Sequence, residues 1–227
     1  YTTTFGQKPF KFPPPEGFLP LNVSNIPRPT LVRPDQYVKP VVYTGNDSSD
    51  NSGTGNTWGI PVDVGFGPDL VWLKSRTQLY GWYIYDTVRG GNKDGGTAVP
   101  GVDKECYDYM RMDDTDAEVN AGTNGDSTLN GIGMNQKGFN VDIGGQAIGE
   151  AGQGTHNMAA WCWKAGGWKG TWNLNGEDAG SAAAAGLTTG DTSVLSAASI
   201  NTKAGFSIVK WTQDSGGSSK NIAHGLT

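Results

Sequence analysis

The chain has 227 residues, of which 35 are glycine and 12 are proline, and only 17% carry charge. This composition favours a turn-rich all-β protein, because glycine and proline supply the corners between short strands. The formal net charge of −5 argues against a nucleic-acid partner, which needs clustered Lys and Arg. The sequence contains no run of about 18 apolar residues, so we expect no membrane insertion.

The first 36 residues have a character of their own. Eight prolines between positions 9 and 34 exclude helix and cannot donate hydrogen bonds to a β ladder. Residues 1–36 should therefore form an extended arm, whose aromatic rings cannot build a core among themselves. We expect the arm to dock on a neighbouring subunit or module through four phenylalanines, Phe5, Phe10, Phe12 and Phe18.

From residue 37 onward, apolar and polar residues alternate with a period of two. The pattern predicts strands at residues 40–45, 69–75, 81–88, 138–143, 157–164 and 205–212. Segments 82–85 and 161–163 are apolar or aromatic at nearly every position, which is typical of central strands covered on both faces. Short strands, Asn-Gly turns such as Asn175-Gly176 and the lack of an amphipathic helix indicate an antiparallel two-sheet β-sandwich over residues 37–203.

The end of the chain echoes an earlier segment. Residues 205–212, with the Gly/Ser-rich stretch after them, repeat the character of residues 41–46 and the polar stretch that follows. Residues 204–227 are therefore either the last strand of the sandwich or the start of a second tandem repeat. The second alternative would make the chain a piece of a longer, modular polypeptide.

Residues 103–118 gather acidic side chains. A solvated acidic loop is the usual outcome for such a run, and a Ca²⁺ site is the alternative, because calcium prefers oxygen ligands from flexible loops. The candidate calcium ligands are Asp113, Asp114, Asp116 and Glu118. No other cofactor is indicated. Cys106 and Cys162 lack the spacing of zinc ligands, and a buried free thiol at Cys162 with an incidental Cys106 is favoured over a disulfide.

The sequence lacks the patterns that catalysis needs. Glycoside hydrolases require two carboxylates close together, whereas the five glutamates are far apart in sequence. No Gly-x-Ser-x-Gly elbow and no phosphate-binding loop is present, so we expect a non-enzyme. Asp86 and Arg89 are predicted to form a structural ion pair. Three tryptophans in loop-like contexts are candidates for stacking on sugar rings, with core packing as the alternative: Trp58, Trp168 and Trp172.

Several segments resemble known families. The segments that resemble the closing strand and tail of a SPRY-type β-sandwich are residues 4–12, 14–18 and 21–22. Those that resemble a concanavalin-like (jelly-roll) β domain of marine and cyanobacterial tailed-phage virion proteins are residues 66–76, 85–90, 138–139 and 160–167. The last segment, AWCWKAGG, is among the most specific of these matches.

The resemblance implies a virion structural protein, such as a tail fibre, head fibre or capsid decoration. Its partners would be copies of itself, other virion proteins and, for host attachment, a host-surface glycan. It would be assembled in the host cytoplasm and displayed on the virion surface. The resemblance brings no catalytic residues. The alternative is a secreted lectin-like carbohydrate-binding module with the same fold.

Overall fold

A computed structural model describes part of the chain, namely residues 12, 15–18, 29, 31–45, 58–77, 79, 81–90, 102–119, 131–142, 156–213 and 219–226. These residues are all-β, with helix confined to the 3₁₀ turns Pro34–Gln36 and Thr192–Val194. Within them, no helix is long and apolar enough to cross a membrane. The chain divides into two units, Tyr1–Val32 and Arg33–Thr227.

The first unit contains residues 1–32 of the predicted arm, whereas residues 33–36 belong to the second unit. Residues 15–18 form a turn, in which the Phe18 N–H donates to the Pro15 carbonyl at 3.0 Å. Phe12 and Phe18 are 74% and 70% exposed. The other two predicted docking residues, Phe5 and Phe10, lie outside the described residues. Docking of the arm on a neighbour stays a prediction.

The described part of the second unit forms thirteen strands. In chain order they are β1 (Val38–Thr44), β2 (Trp58–Asp63), β3 (Leu70–Ser75), β4 (Trp82–Asp86), β5 (Lys104–Cys106), β6 (Met110–Arg111), β7 (Ile132–Asn135), β8 (Gly138–Asp142), β9 (Asn157–Trp163), β10 (Trp172–Leu174), β11 (Glu177–Asp178), β12 (Leu195–Asn201) and β13 (Phe206–Trp211). All six predicted strands are present, with ends within two residues of the predicted ones. The other seven strands were not predicted from the sequence.

Two of the sheets face each other across a hydrophobic core. One has the strand order β1-β9-β3-β4-β6 and the other β2-β8-β7-β5, with every neighbouring pair antiparallel. Tyr85, Phe139 and Leu73 are among the largest side chains that are fully buried between them. The predicted antiparallel β-sandwich is confirmed. The predicted central position of 82–85 and 161–163 is confirmed, since β4 and β9 each have a neighbour on both sides. The prediction that both of their faces are covered is wrong, because alternate residues of β9, including Trp161 and Trp163, are partly exposed.

A third sheet was not predicted. Its strand order is β11-β10-β12-β13, and β10 and β12 run parallel. The β10–β11 hairpin turns at Asn175 and Gly176, whose φ angles of 53° and 95° are the positive values that an Asn-Gly turn requires. A smaller core covers this sheet and consists of Ala185, Leu187, Ala198 and Ile200.

Residues 204–227 contribute to this third sheet. Strand β13 pairs antiparallel with β12, from Asn201 opposite Phe206 to Leu195 opposite Trp211. Ala223 and other apolar residues of this segment pack against the smaller core. The segment therefore lies in the same compact unit as the sandwich, and β1 and β13, which echo each other in sequence, lie in different sheets.

The acidic stretch 103–118 is more ordered than a solvated loop. It contains β5 and β6, and Glu105 and Asp108 are 8% and 6% exposed. Cys106, which the sequence presented as incidental, lies fully buried in the sandwich core, as does Cys162, and both thiols are free. Burial raises the pKa of both thiols, that of Cys162 to about 12. Both are protonated core residues at neutral pH.

Candidate functional site: a tryptophan face and an adjacent pocket

The outward side of the five-stranded sheet carries four tryptophans, which we call the tryptophan face: Trp72, Trp82, Trp161 and Trp163. Successive side chains of a strand point to opposite sides of the sheet. The buried positions of β3 and β9, such as Leu73 and Ala160, point into the sandwich core. Their neighbours in sequence, the tryptophans, therefore point away from it.

The rings of the tryptophan face contact one another. The centroid of the Trp72 ring lies 5.0 Å from that of Trp82, 6.0 Å from that of Trp161 and 6.4 Å from that of Trp163. Strand register explains the cluster, because Trp72 pairs directly with Trp161 across β3 and β9. Cross-strand aromatic pairs of this kind stabilise a sheet and stiffen its surface.

The apolar surface continues to the edge of the sheet. Val38 and Val42 of the edge strand β1 lie opposite Trp163 and Ala159, so they share the outward side. They are 45% and 68% exposed. On the other side of the cluster, the Lys74 ammonium lies 5.6 Å from the centre of the Trp82 ring, within cation–π range.

The third sheet meets one end of the tryptophan face. Phe206, the first residue of β13, stacks on Trp163 with ring centroids 6.3 Å apart and an interplanar angle of 25°. Further along β13, a pocket of about 240 Å³ opens between that strand and the sandwich. Its lining residues are Asp86, Val88, Arg89, Met110, Glu118, Ile208, Val209, Lys210 and Trp211.

An ion-pair network forms the polar wall of this pocket. Arg89 Nη2 lies 2.9 Å from Asp86 Oδ2, and Arg89 Nη1 lies 3.2 Å from Glu118 Oε2. The Arg89 backbone N–H also donates to Asp86 Oδ1 at 2.6 Å. The predicted Asp86–Arg89 pair is confirmed. Because the Asp86 side chain is only 3% exposed, the pair fixes the guanidinium firmly at the pocket wall.

The four predicted calcium ligands contact three different partners. Asp113 accepts the backbone N–H of Trp82 at 3.0 Å, and this hydrogen bond lowers the pKa of the Asp113 carboxyl below its usual value. Asp114 and Asp116 lie 3.1 and 3.7 Å from Arg111 Nη1, and the fourth predicted ligand is the pocket glutamate. Across the described ranges, no three His, Cys, Asp or Glu residues are grouped to hold a metal ion. The carboxylates tie this segment to Trp82, Arg111 and Arg89, and the calcium site stays a prediction.

Two of the three tryptophans predicted to stack on sugars occupy packing positions. Trp168 packs against the sandwich core and Trp172 against the smaller core. Trp58 begins β2, and its side chain lies outside the described part of the structure. The structure instead brings together the four residues of the tryptophan face. The spacing of Trp161 and Trp163, two residues apart, places both side chains on one side of β9. The prediction that this strand is covered on both faces left no exposed tryptophan there.

Comparison with known proteins gives one relationship. No curated protein and no solved structure matched the chain. A family model described as a domain of unknown function, DUF7483, matches residues 33–227. This range coincides with the second compact unit, so it includes the sandwich, the third sheet, the tryptophan face and the pocket. The chain therefore belongs to the DUF7483 family.

Proposed function

We propose that the chain is a non-enzymatic structural subunit of a phage particle, which assembles with copies of itself and with other virion proteins through the tryptophan face. The observation that carries the proposal is the continuous apolar surface formed by the four contacting indoles and the exposed Val38 and Val42. Contiguous apolar patches on soluble proteins mark interaction surfaces, and Trp is enriched at the centres of protein interfaces.

The setting of this assembly in a virion follows from sequence resemblance. Residues 66–76 and 160–167, which resemble phage virion domains, supply β3 and β9, the strands that carry three of the four tryptophans. A role as a tail fibre, head fibre or capsid decoration, assembled in the host cytoplasm and displayed on the particle surface, would use this face between subunits. The exposed Phe12 and Phe18 of the arm offer a second apolar contact.

Two of the buried carboxylates, Asp69 and Asp86, favour a structural role over catalysis. Asp86 is held by Arg89. Asp69 accepts the Ala165 N–H at 2.7 Å and the Thr87 hydroxyl at 3.2 Å. Both acids thus stabilise the fold through fixed hydrogen bonds, and we expect the protein to act by binding.

Self-assembly can be tested by sedimentation velocity of the full chain over a range of concentrations. Val42→Lys places a charge on the apolar surface at a site that is 68% exposed, so the fold should be retained. We expect the wild-type chain to form larger species as concentration rises, and the variant to need at least tenfold higher concentration. Leu79→Lys, at a fully exposed position in the β3–β4 connection, is the matched control and should assemble like the wild type.

Two outcomes would contradict the proposal. One is a wild-type chain that stays monomeric at high micromolar concentration. The other is equal weakening by the Val42 and Leu79 variants, which would show a general effect of added charge and no role for this face.

A secreted lectin-like module is the second candidate. It is favoured by the partly exposed indole rings of the tryptophan face, since aromatic rings with few polar groups are typical of small-molecule sites. The indole N–H of Trp72 is buried and has no hydrogen-bond partner among the described residues. Retention of a monomeric chain on insoluble polysaccharide, abolished by Trp161→Ala, would favour this function over subunit assembly.

A further inference from the structure

The pocket beside β13 offers a different chemistry from that of the tryptophan face. Its volume of about 240 Å³ lies below the roughly 300–1,000 Å³ of sites for drug-sized ligands, which limits its occupant to a small molecule or a single ring of a larger one. It combines an exposed aromatic ring with charged hydrogen-bonding groups. We infer that this pocket binds one neutral sugar ring of a surface glycan.

Trp211 supplies the apolar part of the site. It is the last residue of β13 and is 51% exposed, although indole rings in a folded protein are usually well covered. Met110, which is 38% exposed, and Ile208 also line the pocket. A pyranose ring presents one face of C–H groups, which can pack on an indole while its hydroxyl groups remain free to form hydrogen bonds at the rim.

The polar wall supplies donors and an acceptor. Three of the five guanidinium N–H groups of Arg89 donate to Asp86 and Glu118. The other two have no partner within the described ranges, and the same is true of Glu118 Oε1. A sugar hydroxyl both donates and accepts a hydrogen bond, so a donor beside an acceptor can hold two adjacent hydroxyl groups. The ion pairs fix both side chains before any ligand arrives.

The balance of charge favours a neutral ligand. Two carboxylates line the pocket, on Asp86 and Glu118, and two cations, on Arg89 and Lys210. Their formal charges cancel. An anion such as phosphate would lie close to both carboxylates, and a cation would lie close to the guanidinium. An uncharged ligand with hydroxyl groups is repelled by neither the carboxylates nor the guanidinium, and it can form hydrogen bonds with both.

This inference adds host-surface attachment to the proposed role as a virion subunit, and its biological meaning rests on that proposed function. Binding can be measured by saturation-transfer NMR on the full chain. The probes are methyl glycosides of glucose, galactose, mannose and N-acetylglucosamine at millimolar concentration, with inorganic phosphate as the charged comparison. We expect at least one glycoside to receive saturation at its ring protons and phosphate not to displace it.

Variants of Trp211 test whether the glycoside binds in the pocket. Trp211→Ala should weaken binding at least tenfold, whereas Trp211→Phe, which keeps an aromatic ring, should retain it within a few fold. Phe18→Ala removes an exposed ring from the other unit and should leave binding unchanged. An unchanged far-ultraviolet circular dichroism spectrum and a cooperative thermal unfolding transition show that each variant is folded.

The inference is overturned if no glycoside receives saturation, if phosphate displaces the bound glycoside, or if folded Trp211→Ala binds like the wild type. Sedimentation of the same proteins separates this site from the assembly surface. Trp211→Ala should assemble normally, and Val42→Lys should bind glycoside normally. If the chain assembles but binds no glycoside, only the inference about the pocket is rejected. If it binds glycoside but does not assemble, only the proposed role of the tryptophan face is rejected.

Discussion

The sandwich core and the core of the third sheet are built from side chains of different size. The first contains Tyr85, Phe139 and many large aliphatic residues, whereas two of the four buried members of the second are alanines, Ala185 and Ala198. Full burial of a large apolar side chain contributes roughly 1.5–3 kcal/mol. Because alanine contributes much less, hydrophobic burial holds the sandwich together more strongly than it holds the third sheet.

Buried polar groups join the third sheet to the sandwich. Ser199 of β12 accepts the Gly166 N–H at 2.8 Å and donates to the Gly167 carbonyl at 2.9 Å. Asn201 Nδ2 donates to the Ala165 carbonyl at 3.2 Å. These partners lie in the loop that leaves β9. The sandwich therefore depends mainly on the packed volume of its core. The third sheet depends on a polar junction, namely the buried hydrogen bonds between β12 and the loop after β9, and a buried group that loses such a partner costs free energy.

The largest expected effect comes from removing volume in the sandwich core. Phe139 is fully buried, and its ring meets that of Tyr43 edge-on at 6.1 Å. Phe139→Ala should lower the free energy of unfolding by about 3–5 kcal/mol, measured by urea denaturation. Leu187→Ala in the smaller core is the comparison and should cost about 2 kcal/mol, near the low end for such truncations. Equal losses would refute the difference between the two cores.

A difference in hydrophobic pattern decides which strands could be predicted from the sequence. Strands β3, β4 and β9 alternate buried, mostly apolar residues with partly exposed ones, and this pattern predicted the strand ends to within two residues. Strand β12 reads LSAASIN, and its small and polar residues carry no hydrophobic period. Its buried polar residues Ser199 and Asn201 form hydrogen bonds to a loop more than 30 residues earlier in the chain, which local patterns cannot show.

The candidate sites, likewise, were predictable only where their residues lie close together in sequence. The Asp86–Arg89 pair was predictable, because its members lie three positions apart in one turn. The pocket brings these residues together with Trp211 from β13, and only the tertiary fold creates that proximity. The tryptophan face was visible in part, since alternation places Trp161 and Trp163 on one side of a strand. Its exposure depends on where the third sheet stops, which the sequence does not reveal.

A smaller effect should follow from disturbing the junction directly. A Cβ atom at Gly166 would meet the backbone nitrogen of Ile200, and would lie 2.5 Å from the Ile200 carbonyl oxygen and 2.6 Å from that of Asn173. Backbone atoms of β12 and β10 cannot move aside easily. Gly166→Ala should therefore cost about 1–3 kcal/mol through overpacking. Hydrogen exchange should show faster exchange at β10, β12 and β13, with the sandwich amides still protected.

Gly205→Asn is the control for this experiment. Gly205 has a φ of 66°, which Asn tolerates, and open space surrounds it. Its exchange pattern should match that of the wild type. If Gly166→Ala exposes the sandwich amides to the same degree as those of the third sheet, the two regions unfold as one unit and the proposed division is wrong.

The smallest expected effect concerns the charge at the junction. Asp69 precedes β3, and burial raises its pKa to about 6, although the Ala165 N–H, the Thr87 hydroxyl and the nearby Lys164 charge act in the opposite direction. The Ser199 hydroxyl lies 3.5 Å from Asp69 Oδ1, so this carboxyl also faces the third sheet. Because the folded-state pKa exceeds the unfolded value of 3.8, the folded state binds the proton more tightly.

Stability contributed by Asp69 should therefore rise as the pH falls from 7 to 5, by on the order of 1 kcal/mol. Exposed Asp35 and Asp113 have pKa values below their usual range, so their contributions change only at more acidic pH. Urea denaturation at both pH values should show this gain in the wild type and not in Asp69→Asn, which carries no charge at either pH. Carboxyl NMR provides the direct check, since Asp69 should titrate near pH 6. A midpoint near 4, or equal pH dependence in the two proteins, would mean that water reaches this carboxyl and that the junction is not a dry, hydrogen-bonded contact.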